Sequence, residues 1–527
     1  MDIAPLQAVT VHPARHPGLF EPATLALLAV LCVVGAVIGM QLLVTLGVTV
    51  NTSIVGALVA MGLARVPLRA FARYRSVHVQ NLAQSAISAA TFGAANSLLL
   101  PIGIPFLLGR GDLVLPLLGG AALAMLVDAT MLYRLFGTQA FPAEGAWPPG
   151  VAAAEAIRAG DEGGRRVLVL GGGVLTGIIG TGVLGIPMSA FGVAFLGNMW
   201  ALAMFGVGLL LRGYSAPLFS GVLPGGDMAR AFIPHGFMIG AGLVALVQVG
   251  LVMARQRGAA PGQALGLGAA AYVGIAVLIA LGGGLQSELS GPMLAAFVAY
   301  ATFAALVHEL IVGLAAMHSG WFPAFAVALI TLIIGMLIGF PPVSLALLVG
   351  FSAATGPAFA DMGYDLKAGF LLRGQGVDPA FEADGRWQQY LAAMFAFVVA
   401  GLVVLVSYRS YFAQGLVAPV AKVYVATIRA GATPGVAWQL LLWAVPGALL
   451  QWLGGPRRQM GVLFATGLLI PFPAAGWAVL AGVLCRLAYA RLRGAAAQGE
   501  MEVFAGGVIA GDALTGFCTG VLANLRR

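Results

Sequence analysis

This 527-residue sequence predicts an all-α polytopic membrane protein, and three observations lead there. Hydrophobic residues make up 60% of the chain and charged residues only 9%, for a mean hydropathy of +0.97. Soluble domains carry roughly 25% charged residues, so an ordinary globular fold is excluded. The apolar residues form long uninterrupted runs, which also excludes collagenous or disordered chains and the alternating strands of an outer-membrane barrel. The cations, finally, stand mostly between the runs, as in a chain threaded repeatedly through a bilayer.

A spanning helix needs about 20 predominantly apolar residues. Runs of this kind begin with 24–46, 52–68, 82–108, 113–133, 166–184 and 187–211. They continue with 231–254, 263–284, 292–317, 322–340, 343–359, 388–407, 436–453, 461–485 and 503–525. The expected count is about 14–16 transmembrane helices. Several runs are interrupted by Pro or Gly, at Pro101 and Pro105, between Pro217 and Pro224, at Pro341 and Pro342, and at Pro471 and Pro473. A break at membrane depth is tolerated where the freed backbone groups face protein or a watery cavity. Three breaks share one pattern, an apolar helix, a short small or polar turn and a shorter apolar segment. They lie in Leu42–Leu63, Ile333–Ala354 and Val462–Leu484. Interrupted segments in matching contexts predict internal repeats built around a transport site, with simple helix kinks as the alternative. The 75 glycines fit this reading, since membrane helices use Gly for close approach.

The net charge of +8 is a topology signal, because Arg65, Arg69, Arg73 and Arg75 share one short connection while Arg158, Arg165 and Arg166 flank another. Excess Arg and Lys in short loops marks the cytoplasmic side. Both termini are therefore expected inside, with 1–23 as a cytoplasmic tail and 134–165 and 361–387 as cytoplasmic loops. Val151–Ala159 within the first of these reads as a short helix. No linker separates soluble parts, so 1–527 reads as a single membrane domain, its first span retained as a signal anchor. Cys32, Cys485 and Cys518 stand alone in apolar surroundings, without metal-ligand spacing.

Ionisable side chains inside spans cost about 2.5–3.5 kcal/mol each at the helix centre, which makes the few present functional candidates. His308 and Glu309 lie within Met293–Met317, where a carboxyl and an imidazole can exchange protons; as helix neighbours they point about 100° apart. Asp128 lies within Leu123–Leu132, with a pair to Arg134 as its structural alternative. Asp512 lies in a small-residue stretch suited to close helix packing. Glu309, His308, Asp128 and Asp512 are thus the proton-coupling candidates. Asp227 is expected to pair with Arg230 at i and i+3 while capping a helix.

Uncharged polar residues at breaks are the substrate-binding candidates. Asn51, Thr52 and Ser53 either open a half-helix whose amides attract an anion or cap an ordinary helix. Asn81, Gln84, Ser85 and Ser88 share one helical face in an apolar run, which either lines a cavity or joins helices by hydrogen bonds. Enzyme motifs fail: His308 and Glu309 begin an HExxH pattern whose fifth position is Val312. Pro224 occupies the first glycine position of a GxGD protease motif, and neither lysine, Lys367 nor Lys422, stands in a phosphate-binding GxxxxGK loop. No catalytic residue, metal site or cofactor is expected, and the competing classes are a channel and an intramembrane hydrolase.

Four stretches resemble segments of the oligopeptide transporter superfamily, which includes yellow-stripe-like metal-chelate carriers and bacterial members. Leu46–Ile54 resembles its GLKTGLTVSASIP segment without the lysine, and Val79–Ala90 resembles ENxVQTIASA. Pro149, Gly150, Ala152–Glu155 and Gly160–Gly164 are similar to YPEGxAxAEVLKAGxEGG. Asp361, Asp365, Leu366, Lys367, Gly369, Phe370 and Leu371 are similar to GDTxQDLKTGYLLGA, the most specific of the four. Pro149 replaces a usual Glu, Arg373 interrupts the last motif, and the peptide-carrier signatures NPG and KIPPR are missing, which places the chain with bacterial or divergent members. The resemblance implies a proton-coupled importer in the cytoplasmic membrane for short peptides, modified peptides or peptide-like metal chelates. It also implies that Asp361, Asp365 and Lys367 form a cytoplasmic gate, the alternative being a solvated loop held by local ion pairs. Expected partners are a small-molecule or peptide substrate, protons and the lipid bilayer, with a homodimer admitted; nucleic acid is not expected.

Overall fold

A computed structural model describes residues 15–46, 60–62, 73–162, 164–255, 260–431, 435–494 and 497–525. Nineteen principal helices organise them. In chain order the first eight are α1 Pro22–Leu46, α2 Val77–Leu107, α3 Val114–Leu135, α4 Pro148–Glu162, α5 Gly164–Gly182, α6 Met188–Val193, α7 Met199–Gly213 and α8 Ile233–Arg255. Next come α9 Ala260–Gly282, α10 Gly291–Ser319, α11 Ala324–Ile338, α12 Pro342–Ala354, α13 Pro357–Leu372 and α14 Pro379–Ala413. The last are α15 Pro419–Ala430, α16 Val436–Arg458, α17 Met460–Leu469, α18 Pro473–Arg493 and α19 Ala497–Leu525. The described residues hold no strand, only an isolated bridge between Phe136 and Phe141. The protein is thus an all-α, multi-pass membrane protein. Nine of the described helical stretches are long and apolar enough to cross a bilayer, and four further apolar helices are shorter.

Lipid-facing and protein-facing sides separate along single helices. On α14, Gln389, Ala393, Ala396, Ala400 and Val404 are buried at helical spacing, while Val398, Leu402, Leu405 and Val406 are exposed. Both faces are apolar because the outer one meets hydrocarbon rather than water. Small residues bring other pairs together. A side chain at Gly173 or Gly177 of α5 would strike the α19 backbone at Phe504 or Val508, and one at Gly507 or Gly511 would strike Leu170 or Val174. The two helices therefore touch backbone to backbone, as glycines spaced four apart allow.

The helix at the centre is α13, packed by α2, α3, α4, α10 and α14. All its residues from Pro357 to Phe370 are buried. This corrects the expected loop at 361–387: residues 361–372 are interior helix, and only Arg373–Asp378 connect it to α14. Of the charges that made the segment look like a loop, that of Arg373 is paired inside the protein. Arg373, fully buried, donates to Glu382 at 2.8 and 3.0 Å and to Gln389 at 2.7 Å. The other connection, 134–165, contains α4, which is longer than the expected Val151–Ala159, and Trp147 is wholly buried just before it.

Candidate functional site

Several helices are interrupted at one place, and a cavity of about 470 Å³ lies there. In α2 the segment Gly93–Leu99 widens into a π-helix, with the Leu100 N–H bonding the Ala95 carbonyl five residues back and Pro101 supplying no donor. The widened turn carries Asn96 into the cavity wall. Pro187 before α6, Gly320–Phe322 between α10 and α11, Pro357 at the start of α13 and Ile470 after α17 complete the ring of breaks. Of the three breaks read from the sequence, the one at Pro471 and Pro473 borders this cavity through Ile470. The one at Gly339 does not line it, and the one around Asn51 lies outside the described residues.

The break between α12 and α13 gathers two of the four expected proton-coupling residues, Asp128 and Glu309. Gly356 there has a φ of 95°, open to glycine, and its N–H donates to Asp128 Oδ2 at 2.7 Å. Tyr272 of α9 donates to Asp128 Oδ1 at 2.5 Å. Asp128 therefore caps a half-helix in mid-protein and does not pair with Arg134. Glu309 lies beside Asp128 and Tyr272, and neither of its buried carboxyl oxygens has a hydrogen-bond partner of good geometry among the described residues. His308, about 100° further round the helix, meets a different neighbour, with Nδ1 3.3 Å from Ser352 Oγ. Ser352 in turn donates to Thr331.

A second group joins α2 to α13. Asp361 and Asp365, one turn apart, face the polar stripe read from the sequence. Ser88 donates to Asp361 Oδ1 and Gln84 to Asp365 Oδ1, both at 2.5 Å. Asn81 donates to Gln84 at 2.9 Å, and Gln389 of α14 donates to Ser85 at 3.1 Å and to the Asp365 carbonyl at 2.7 Å. The second oxygens of both aspartates and the Asn81 carbonyl are buried without a partner among the described residues. Asn81, Gln84 and Ser85, expected at the substrate, thus hold two helices together and do not line the central cavity.

Lys367 parts from its two aspartates. It donates to the Ala143 carbonyl at 3.0 Å and lines a separate cavity of about 430 Å³ with Glu155, Arg158, Arg166, Glu500 and Glu502. Helix α13 thereby presents Tyr364 to the central cavity, Lys367 one turn later to this charged vestibule, and Asp361 and Asp365 to α2. Asp512 of α19, apart from Asp128 and Glu309, borders the central cavity, where Thr181 and the Met188 N–H donate to its Oδ1. Asp227 pairs with Arg212 at 2.8 Å instead of Arg230, and caps its turn through the Ala229 N–H. Asn51, Thr52 and Ser53 lie outside the described residues.

Sequence reasoning missed Asn96, Tyr272, Tyr364 and Gln389. Only Asn96 carried a signal, a lone amide in an apolar run one turn before Pro101.

A bundle of membrane-crossing helices, interrupted around an internal cavity and bearing buried carboxyl groups, is the architecture of a membrane transporter. The chain matches the family model described as OPT oligopeptide transporter protein over residues 23–256 and 263–523. It belongs to that family, whose members carry oligopeptides or related molecules and are not enzymes. No individual curated protein matches it.

Proposed function

We propose that this protein is a proton-driven importer of short peptides or peptide-like molecules in the cytoplasmic membrane. The central cavity is its substrate site, and Asp128, Glu309, Asp361 and Asp365 are its proton-carrying groups. The volume of about 470 Å³ falls in the range of roughly 300–1,000 Å³ typical of small-ligand sites.

The observation that carries the reading is the meeting of Asp128 and Glu309 at the break before α13. No ion pair reaches Asp128, Glu309, Asp361 or Asp365 among the described residues. Carboxyl groups brought together without a cation are stable inside a protein when they share or hold protons. A proton moving between Asp128 and Glu309 changes the strength of the Asp128–Gly356 bond and hence the hold on the start of α13. That helix carries Tyr364 at the substrate cavity and Lys367 at the vestibule, so its movement opens one side and closes the other. Asp361, Asp365 and Lys367 then act as a gate through α13, the Lys367 bond to Ala143 being the closed latch.

Uptake of the radiolabelled tripeptide Ala-Phe-Ala into proteoliposomes tests this. Accumulation that requires an imposed pH gradient and vanishes with a protonophore is expected. Uptake that persists unchanged once the pH gradient and membrane potential are collapsed overturns it in favour of a channel.

A further inference from the structure

We infer that Asp512 is the anchor for a positively charged ammonium group on the transported molecule, so that this carrier selects ligands with a free amine attached to an apolar body. The inference rests on the central cavity being the substrate site and adds the class of ligand it takes.

Two independent features of the cavity support it. Asp512 is the only formally charged side chain among the described residues lining the cavity, with no Arg or Lys facing it there. Its carboxylate is aimed rather than consumed. Thr181 and the Met188 N–H both hold Oδ1, whereas no described donor holds Oδ2, and the side chain is only partly buried. The backbone contact of α5 with α19 at Gly177 and Gly511 fixes that orientation, because it sets Thr181 beside Asp512.

Most of the wall is apolar, and Phe92, Trp321, Phe322, Phe325, Tyr364 and Tyr424 stand around the same space. Aromatic faces attract organic cations and exclude water, and a carboxylate in such a setting bonds an ammonium more strongly than in water. An inorganic divalent cation takes six or more oxygen ligands and favours several carboxylates, whereas Asp512 is the one carboxylate among the described lining residues. The combination therefore favours an organic ammonium such as the amino terminus of a short peptide.

The experiment compares binding of Ala-Phe-Ala, its N-acetylated form, 2-phenylethylammonium and magnesium chloride to the purified full chain in nanodiscs by isothermal calorimetry. At least tenfold tighter binding of the free tripeptide than of the acetylated one is expected, with the difference abolished in Asp512→Asn, which keeps the acceptor for Thr181. Equal binding of the two peptides to the unaltered protein overturns the inference and leaves the peptide reading standing, as does a difference that survives in Asp512→Asn. Asp512-dependent binding of 2-phenylethylammonium without any peptide binding supports the inference and overturns the peptide reading. Asp512-dependent binding of magnesium, or no binding by any of these probes, overturns the inference. The acetylation contrast is read in the unaltered protein, so it stands even where the variant fails to fold.

Discussion

The Gln84 side-chain amide donates a 2.5 Å hydrogen bond to Asp365 Oδ1, and through it the polar stripe of α2 and the carboxyl groups of α13 become a single structure. Gln84 also accepts from Asn81, while Gln389 ties Ser85 and the Asp365 carbonyl to the Arg373–Glu382 pair. The chain from Asn81 to Glu382 spans three helices without meeting lipid. Among the described residues its loose ends are acceptors only, one oxygen each of Asp361 and Asp365 and the Asn81 side-chain oxygen, which bound protons would complement.

Replacing Gln84 by leucine removes the donor to Asp365 and the acceptor of Asn81 together. Leaving buried polar groups unpaired costs about 1–3 kcal/mol each, so Gln84→Leu is expected to unfold at a clearly lower denaturant concentration. Asp365→Asn in the same background recovers part of the loss, because the amide has its own donors for the neighbouring oxygens. A Gln84→Leu variant as stable as the unaltered protein would show that the bond holds nothing together.

Glu309→Gln separates coupling from binding. The substitution keeps the size and shape of the side chain and removes its titratable proton. Proton-driven accumulation of Ala-Phe-Ala in proteoliposomes is expected to fall at least tenfold, while exchange of labelled for unlabelled peptide across the same membrane continues. Normal accumulation removes Glu309 from the coupling step. Loss of both activities assigns it to the structure instead.

Gly356→Ala probes the break itself. The backbone φ of 95° strains any residue with a Cβ, and the added carbon would lie 3.2 Å from Val312. Strain of this kind costs about 1–3 kcal/mol. Val312→Ala in the same chain removes the two Cγ contacts but keeps the Cβ contact and the dihedral, so the double variant is expected to regain only part of the lost stability in a thermal unfolding series. Complete rescue would show that contact, rather than backbone conformation, requires glycine there.

Membrane insertion, helical class and the short list of buried ionisable groups were legible in the sequence, because hydropathy and the cost of burying charge act residue by residue. Pairing was not. Asp361, Asp365 and Lys367 read as a polar loop because each is polar, and only the fold reveals that Ser88, Gln84 and the Ala143 carbonyl each form a hydrogen bond with one of them inside. Asp128 and Glu309 lie 181 positions apart in the chain, and no local pattern announces that α3 and α10 bring them to one half-helix. The breaks at Pro471 and Pro473 were visible since proline interrupts a helix by its own chemistry, whereas the π-turn at Asn96 and the break at Gly356 depend on neighbouring helices.

His16 makes the stability of the amino-terminal segment depend on pH. This residue precedes α1, packs against His78 and Phe381, and its backbone N–H donates to Asp384. Burial, reinforced by the nearby Arg373 guanidinium, pushes its imidazole from 6.5 down to about 4. Above pH 6.5 the ring is neutral whether the protein is folded or unfolded, and it makes no pH-dependent contribution. Between 6.5 and 4 the unfolded chain takes up a proton that the folded one refuses, so stability falls as the pH falls. The depressed value corresponds to a loss of about 3 kcal/mol across that window, at about 1.4 kcal/mol per pH unit. Denaturant unfolding of the unaltered protein and of His16→Gln, compared at pH 7 and pH 4.5, is expected to show a shallower decline in the variant. Parallel declines would show that other groups set the acid sensitivity, and would place His16 in contact with water in the folded state.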